Sequence, residues 1–120
     1  MTNRLDKSAH VLHKGHVDIV QTGQFRDWLD GLRDRKARLR IDDRLRRLAS
    51  GNAGDTKSVG GDVQELRLHF GPGYRIYYMW RDGMLIILLT GGDKSSQSRD
   101  IAKAKRLAKD ADDGIEVDPV

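Results

Sequence analysis

The chain has 120 residues, enough for one domain with a modest core, and its hydrophobic fraction of 38% is ordinary. It contains no cysteine, which excludes a disulfide framework and a zinc ribbon. No apolar run approaches the ~20 residues of a membrane span, so the sequence reads as cytoplasmic with no membrane partner. The formal charge of +4 hides an asymmetry, because Asp110, Asp112, Asp113, Glu116 and Asp118 all follow the last basic residue, Lys109. Without those five the body stands near +9, a balance that attracts polyanions and does so less at high salt.

Residues 1–16 lack the apolar centre of a secretory signal and are expected to be a polar extension. His10, His13 and His16 recur there at spacing three, but little around them would preorganise a metal site, and no metal is assigned. Residues 17–22 alternate weakly as a first strand, with Val17, Ile19 and Gln21 on one side. Phe25, Trp28, Leu29 and Leu32 then recur at helical spacing after Thr22, a suitable cap, with Gly31 as a break. A second helix over 34–49 turns Ala37, Ile41, Leu45 and Leu48 inward and leaves Arg35, Lys36, Arg38, Arg40, Arg44, Arg46 and Arg47 elsewhere. Such an arginine run is an ordinary solvated face or a surface for structured RNA. The glycine-rich loop Gly51-Asn52-Ala53-Gly54-Asp55 lacks the G-x-x-x-x-G-K-[ST] spacing of a P-loop. Lys57 and Val59 begin a further strand.

From Glu65 to Lys94 the side chains alternate with period two and predict three antiparallel strands. Leu66, Leu68 and Phe70 share one face, as do Tyr74, Ile76, Tyr78 and Trp80, leaving Glu65, Arg67, His69, Arg75 and Tyr77 on the other. A three-residue loop Gly71-Pro72-Gly73 would pair Phe70 with Tyr74, His69 with Arg75 and Arg67 with Tyr77. Asp82-Gly83 signals a two-residue type I′ turn, which sets Arg75 opposite Thr90 and beside Lys94. Residues 84–89 are so continuously apolar that they belong at the sheet centre. After Ser95-Ser96 a last helix turns Ile101, Ala104, Leu107 and Ala108 inward and exposes Arg99, Lys103, Lys105, Arg106 and Lys109. The expected order is β-α-α-β-β-β-β-α, an α+β domain with helices on one face of an antiparallel sheet and an acidic tail over 110–120. Cations, a histidine and a phenol converging on one face suit a phosphodiester, whose charge needs fixed donors as it becomes a phosphorane.

The segments G-N-A-G-D-T-K-S-V-G-G-D-V-Q-E-L-R-L-H-F-G-P-G-Y-R-I-Y-Y and L-L-T-G-G-D-K-S-S-Q-S-R-D-I, with F-R-D-W-L-D-G-L-R-D-R-K-A before them, resemble the HigB-type addiction module killer family. That family is phage Gp49-like and belongs to the RelE/ParE toxin superfamily. The resemblance covers about residues 17–109. It implies a RelE/ParE-like fold and a type II toxin that cleaves messenger RNA on the ribosome without metal or other cofactor. It also implies silencing by a HigA-type helix-turn-helix antitoxin, with residues 17–32 and 101–109 as docking elements. Arg75 matches the arginine that holds the scissile phosphate, Arg67 falls near the preceding basic strand position, and Lys94 sits where relatives carry a basic residue. The catalytic candidates are therefore Arg67, His69, Arg75 and Lys94, with His69, Lys94 or Lys57 as the base. RNA contacts are expected from Lys57, Tyr77, Arg81, Arg99, Arg38 and Arg46. No tyrosine follows Tyr78, so the base-stacking tyrosine that RelE carries in its last helix is missing; Tyr77 or Trp80 would substitute if exposed. Two other readings remain open: a ParE-like DNA gyrase inhibitor and a non-catalytic RNA-binding domain.

Overall fold

A computed structural model describes residues 17–114 and 116–120. The spaced histidines His10, His13 and His16 lie outside the described residues. Strand β1 (Asp18–Gln21) leads through α1 (Gly23–Asp30) and α2 (Arg35–Ala49) to β2 (Thr56–Gly60), β3 (Val63–Arg67), β4 (Arg75–Arg81) and β5 (Leu85–Gly92). A 3₁₀ turn over Lys94–Ser96 opens α3 (Gln97–Asp112), and β6 (Asp118–Pro119) closes the chain. The fold is α+β, compatible with the RelE-like class, in the expected order plus one terminal strand.

The six strands run β2-β3-β4-β5-β1-β6. The sheet is mixed where an antiparallel one was expected, because β1 lies parallel to β5, pairing Asp18 with Leu85 and Gln21 with Leu88. Periodicity encodes a strand's faces but not its partner's direction. The helices also cover both faces, not one. Phe25, Ala37, Ile41, Leu45 and Leu48 pack with Leu66, Leu68, Ile76, Tyr78, Ile86 and Leu88 on one side. Ala104, Leu107, Ala108 and Ala111 of α3 pack with Val63, Tyr77, Met79, Ile87 and Leu89 on the other. This two-sided cover is why residues 86–89 are apolar without a break. The acidic end is not a free tail: α3 runs to Asp112, and Asp118–Pro119 pairs with Val20–Gln21, with Asp118 bound to Arg26 at 3.0 Å.

Helix starts follow their caps. Asp34 accepts from the amides of Lys36 and Ala37 at 3.0 and 3.2 Å. Thr22 bonds in two directions, since its hydroxyl accepts from the Phe25 amide at 3.1 Å and donates to the Leu89 carbonyl at 2.7 Å. Leu89 is the extra residue of a bulge where Tyr77 faces Thr90 and Tyr78 faces Leu88, so this hydroxyl satisfies a carbonyl displaced from the ladder. Thr22→Ala is expected to lower stability by about 1–2 kcal/mol, read by chemical denaturation; Thr22→Ser should restore most of it.

Both hairpins depart from the expected register. At the first, Arg67 faces Arg75 and the Leu68 amide donates to the Tyr74 carbonyl at 3.0 Å, leaving a five-residue loop, His69 to Gly73. Within it the Gly73 amide closes a turn on Phe70 at 3.0 Å, and Gly71 and Gly73 take φ of 55° and 79° around Pro72. At the second, Asp82 and Gly83 form the expected left-handed pair, φ 55° and 65°, closed by the Met84 amide on the Arg81 carbonyl at 3.1 Å. The ladder nevertheless resumes with Arg81 facing Leu85, and with the bulge this moves Arg75 from Thr90 to Gly92. Arg75 thereby stands across from a residue only two before Lys94.

Candidate functional site

The G-G-D-K-S-S-Q-S-R-D segment places the site by close packing. A Cβ on Gly91 would stand 2.3 Å from the Trp28 ring, and one on Gly92 would stand 1.8 Å from Asp100 Oδ2. Only hydrogen fits at either position. Asp93 then caps the 3₁₀ turn, accepting from the Ser95 amide at 2.8 Å and the Ser95 hydroxyl at 2.5 Å. That bonding to Ser95 holds the Asp93 carboxyl below its ordinary value. Ser96 donates to the buried Asp100 at 2.5 Å, and Lys94 donates its amide to the Pro72 carbonyl at 3.4 Å. The turn thus fastens the start of α3 to the β3–β4 loop.

Between that loop and the turn lies an open pocket of about 360 Å³ lined by His69, Phe70, Gly71, Pro72, Gly73, Arg75 and Lys94. Arg75 is only 7% exposed. One guanidinium nitrogen donates to the Gly73 and Tyr74 carbonyls at 3.0 and 3.2 Å, while Nε has no partner among the described residues. Arg67, facing Arg75 across the strands, likewise has a buried Nε without a hydrogen-bond partner. Two neighbouring guanidinium groups, one of them lining the pocket, favour an oxyanion.

Carboxylates brace these cations. Asp55 bonds His69 through Nε2 and lies 3.7 Å from Arg67 Nε. The bond to His69, aided by Arg67, holds Asp55 below the ordinary carboxylate range. Glu65 is fully buried beneath the site, accepting from the Tyr77 hydroxyl at 3.0 Å and Gln97 Nε2 at 2.8 Å, with Arg67 Nε at 3.7 Å. Burial, reinforced by Glu65, pushes the Tyr77 phenol well above its ordinary value, so it serves as a neutral donor. Arg44 acts as a strut, donating to the Arg67 carbonyl at 3.0 Å and the Ala53 carbonyl at 2.8 Å.

The depressed carboxyls give a pH prediction. Asp55 and Asp93 titrate lower folded than unfolded, so they stabilise the fold above the ordinary value of 3.8, and this contribution disappears as pH falls through their lowered values. Melting temperature should therefore drop on acidification below about pH 4. The double variant Asp55→Asn/Asp93→Asn should melt lower at neutral pH and show a shallower acid slope.

Of the predicted catalytic residues, the structure gathers His69, Arg75 and Lys94 on one pocket and sets Arg67 beside them. The predicted RNA contacts scatter. Tyr77 is 0% exposed beneath α3, because the face expected to be open carries that helix. Trp80, expected inward, is partly exposed, but at the far end of β4. Arg81 is committed to the end of α3, donating to the Ala111 carbonyl at 2.6 Å and pairing with Asp112 at 3.6 Å. Lys57 is exposed on the sheet edge in the row of Glu65 and Tyr77, and Arg99 is exposed on the first turn of α3. Arg38 pairs with Asp30 and Arg46 with Asp42, in grooves on other sides of α2. The side of α2 that meets His69 carries Arg40, Arg44 and Arg47 instead. Sequence reasoning misses Asp55, Glu65, Gln97 and Phe70 as site residues. Glu65 shares the basic face in the alternation, whereas Asp55 reaches His69 only through the pairing of distant strands.

No group of three or more His, Cys, Asp or Glu residues is placed to hold a metal ion among the described residues. Nor is any helix there long and apolar enough to cross a membrane. No solved structure matches the chain. A protein of Haemophilus influenzae (strain ATCC 51907 / DSM 11121 / KW20 / Rd), described as uncharacterized, is 46% identical over 94 residues, which is 78% of this chain and 95% of its own. Residues 27–111 match the family described as "Phage derived protein Gp49-like (DUF891)". That match spans the second half of α1, all of α2 through β5, and nearly all of α3, and so includes every residue of the pocket; the chain belongs to the Gp49-like family of phage-derived proteins, a family of the toxin–antitoxin type.

Proposed function

We propose that the protein is the toxin of a type II toxin–antitoxin pair and an endoribonuclease that cleaves messenger RNA during translation. The observation that carries this reading is the meeting of His69, Arg75 and Lys94 on one open pocket, with Arg67 facing Arg75 across the strands. RNA carries its own nucleophile, so the protein need only position and polarise. The ribose 2′-oxygen attacks the adjacent phosphorus, the bond from phosphorus to the 5′-oxygen breaks, and the products are a 2′,3′-cyclic phosphate and a 5′-hydroxyl. The 2′-hydroxyl proton passes to His69, and a proton from Lys94 meets the departing 5′-oxygen. Asp55 prepares His69 as the base, because accepting the Nε2 proton leaves the lone pair on Nδ1. Arg75, with Arg67 behind it, meets the charge that develops on the phosphorane.

A HigA-type helix-turn-helix antitoxin is the expected silencing partner, the ribosome supplies the message, and the site of action is cytoplasmic. The reading is tested by inducing wild type and Arg67→Ala/Arg75→Ala in cells without antitoxin and mapping messenger 5′ ends during arrest. New 5′-hydroxyl ends inside reading frames, for wild type only, are expected. Arrest with intact messages and a DNA-damage response would replace this reading with gyrase inhibition.

A further inference from the structure

Phe70 stands where two openings meet. It lines the His69–Arg75–Lys94 pocket, and with His69 it also lines a groove toward α2 whose other walls are Leu39, Arg40, Asp43, Arg44, Arg47 and Leu68. The ring is held from one side by Tyr74, centroids 5.5 Å apart at 58°. The Arg40 guanidinium lies 4.6 Å from its centroid. Among the described residues Arg40 has no ion pair, whereas Arg44 is spent on two carbonyls and Arg47 leans on Asp43 at 3.6 Å. A cation free to lift from an aromatic face, one step from a phosphate pocket, suits a flat and charged repeating ligand.

We propose that Phe70 and Arg40 form a stacking site for a nucleobase of single-stranded RNA, next to the phosphate held at Arg75 and Lys94. This rests on the nuclease reading for its ligand. In it the base lies against Phe70, the Arg40 guanidinium covers the stack or meets the next phosphate, and the strand continues along Arg47. The platform comes from the β3–β4 loop and α2, so the base approaches from the α2 side, opposite the face that α3 covers. Every base has a π face, so stacking on Phe70 contributes affinity more than base identity. The exposed Leu39 at the groove margin extends the apolar floor.

The test uses a short single-stranded oligoribonucleotide, 2′-O-methylated to block cleavage and carrying 2-aminopurine, whose fluorescence is quenched on stacking. Wild type is expected to quench it. Phe70→Leu, which keeps an apolar side chain against Tyr74, should lose the quench and bind roughly tenfold more weakly, with Phe70→Tyr restoring both. Unchanged melting temperature of the leucine variant separates lost stacking from lost folding. Absence of quenching with wild type, or equal quenching with Phe70→Leu, overturns the stacking site. Message cleavage in a translating extract is measured alongside: cleavage by wild type with no quench sinks the stacking site alone, whereas quench without cleavage sinks the nuclease reading alone.

Discussion

Replacing Arg75 with alanine is expected to lower the rate of message cleavage by about 10²–10³-fold and to abolish growth arrest, while the protein stays folded. The size follows from position. Arg75 is nearly buried at the pocket floor, its carbonyl bonds hold it in place, and its Nε faces no partner among the described residues. A donor fixed in advance stabilises developing charge without the reorganisation that water would need. Arg75→Lys should recover only part of the loss, because a compact ammonium on a flexible stem lacks the planar fork that spans the Gly73 and Tyr74 carbonyls and a phosphate oxygen at once. Single-turnover cleavage in a translating extract, with circular dichroism on each variant, measures the effect. Equal rates for wild type and the alanine variant would remove Arg75 from the chemistry.

Gly91→Ala and Gly92→Ala should each destabilise the fold by about 2–3 kcal/mol, lowering the melting temperature by roughly 10 °C. Each methyl enters occupied space, at the Trp28 ring on one face of β5 and at the Asp100 carboxylate on the other. Neither neighbour can yield freely: Trp28 packs on Phe25 and Tyr74, with centroids 5.7 and 6.3 Å away, and Asp100 is held by Ser96. Gly92→Ala should also weaken function beyond its effect on stability, because Asp100 and Ser96 set the turn that carries Lys94. Thermal unfolding combined with cleavage measured well below the variant's melting temperature separates the two contributions.

Much of this arrangement is legible in the sequence because alternation and helical spacing report which face a side chain occupies. Ala37, Ile41, Leu45 and Leu48 are the buried stripe of α2, Thr22 is the cap of α1, and Glu65, Arg67 and Arg75 share one face, all as the spacing predicts. The apolar run at 86–89 also carries the sign of its two-sided cover, although one-sided packing was expected. What the pattern cannot carry is pairing across distance. The five-residue loop at His69–Gly73 and the bulge at Leu89 shift Arg75 along its partners by whole residues, and neither leaves a trace in period two. Tyr77 has the alternation of an outer-face residue, and only the docking of α3 buries it. Arg38 and Arg46 cannot be told from Arg40 and Arg47 by spacing, because a helix densely set with arginine does not announce which side meets the hairpin. Asp55 joins the site through a backbone bond from Arg67 to its carbonyl at 2.9 Å and a side-chain bond to His69, contacts that no local spacing encodes.

The most direct measurement supplies the purified protein to a reconstituted translation system programmed with one defined message and determines the chemistry of the fragment ends. Wild type is expected to leave a 2′,3′-cyclic phosphate on the upstream fragment and a 5′-hydroxyl on the downstream one, with both formed far more slowly by Arg75→Ala or His69→Ala. An intact message in the presence of folded wild-type protein, or fragments ending in a 3′-hydroxyl and a 5′-phosphate, would contradict the proposed chemistry.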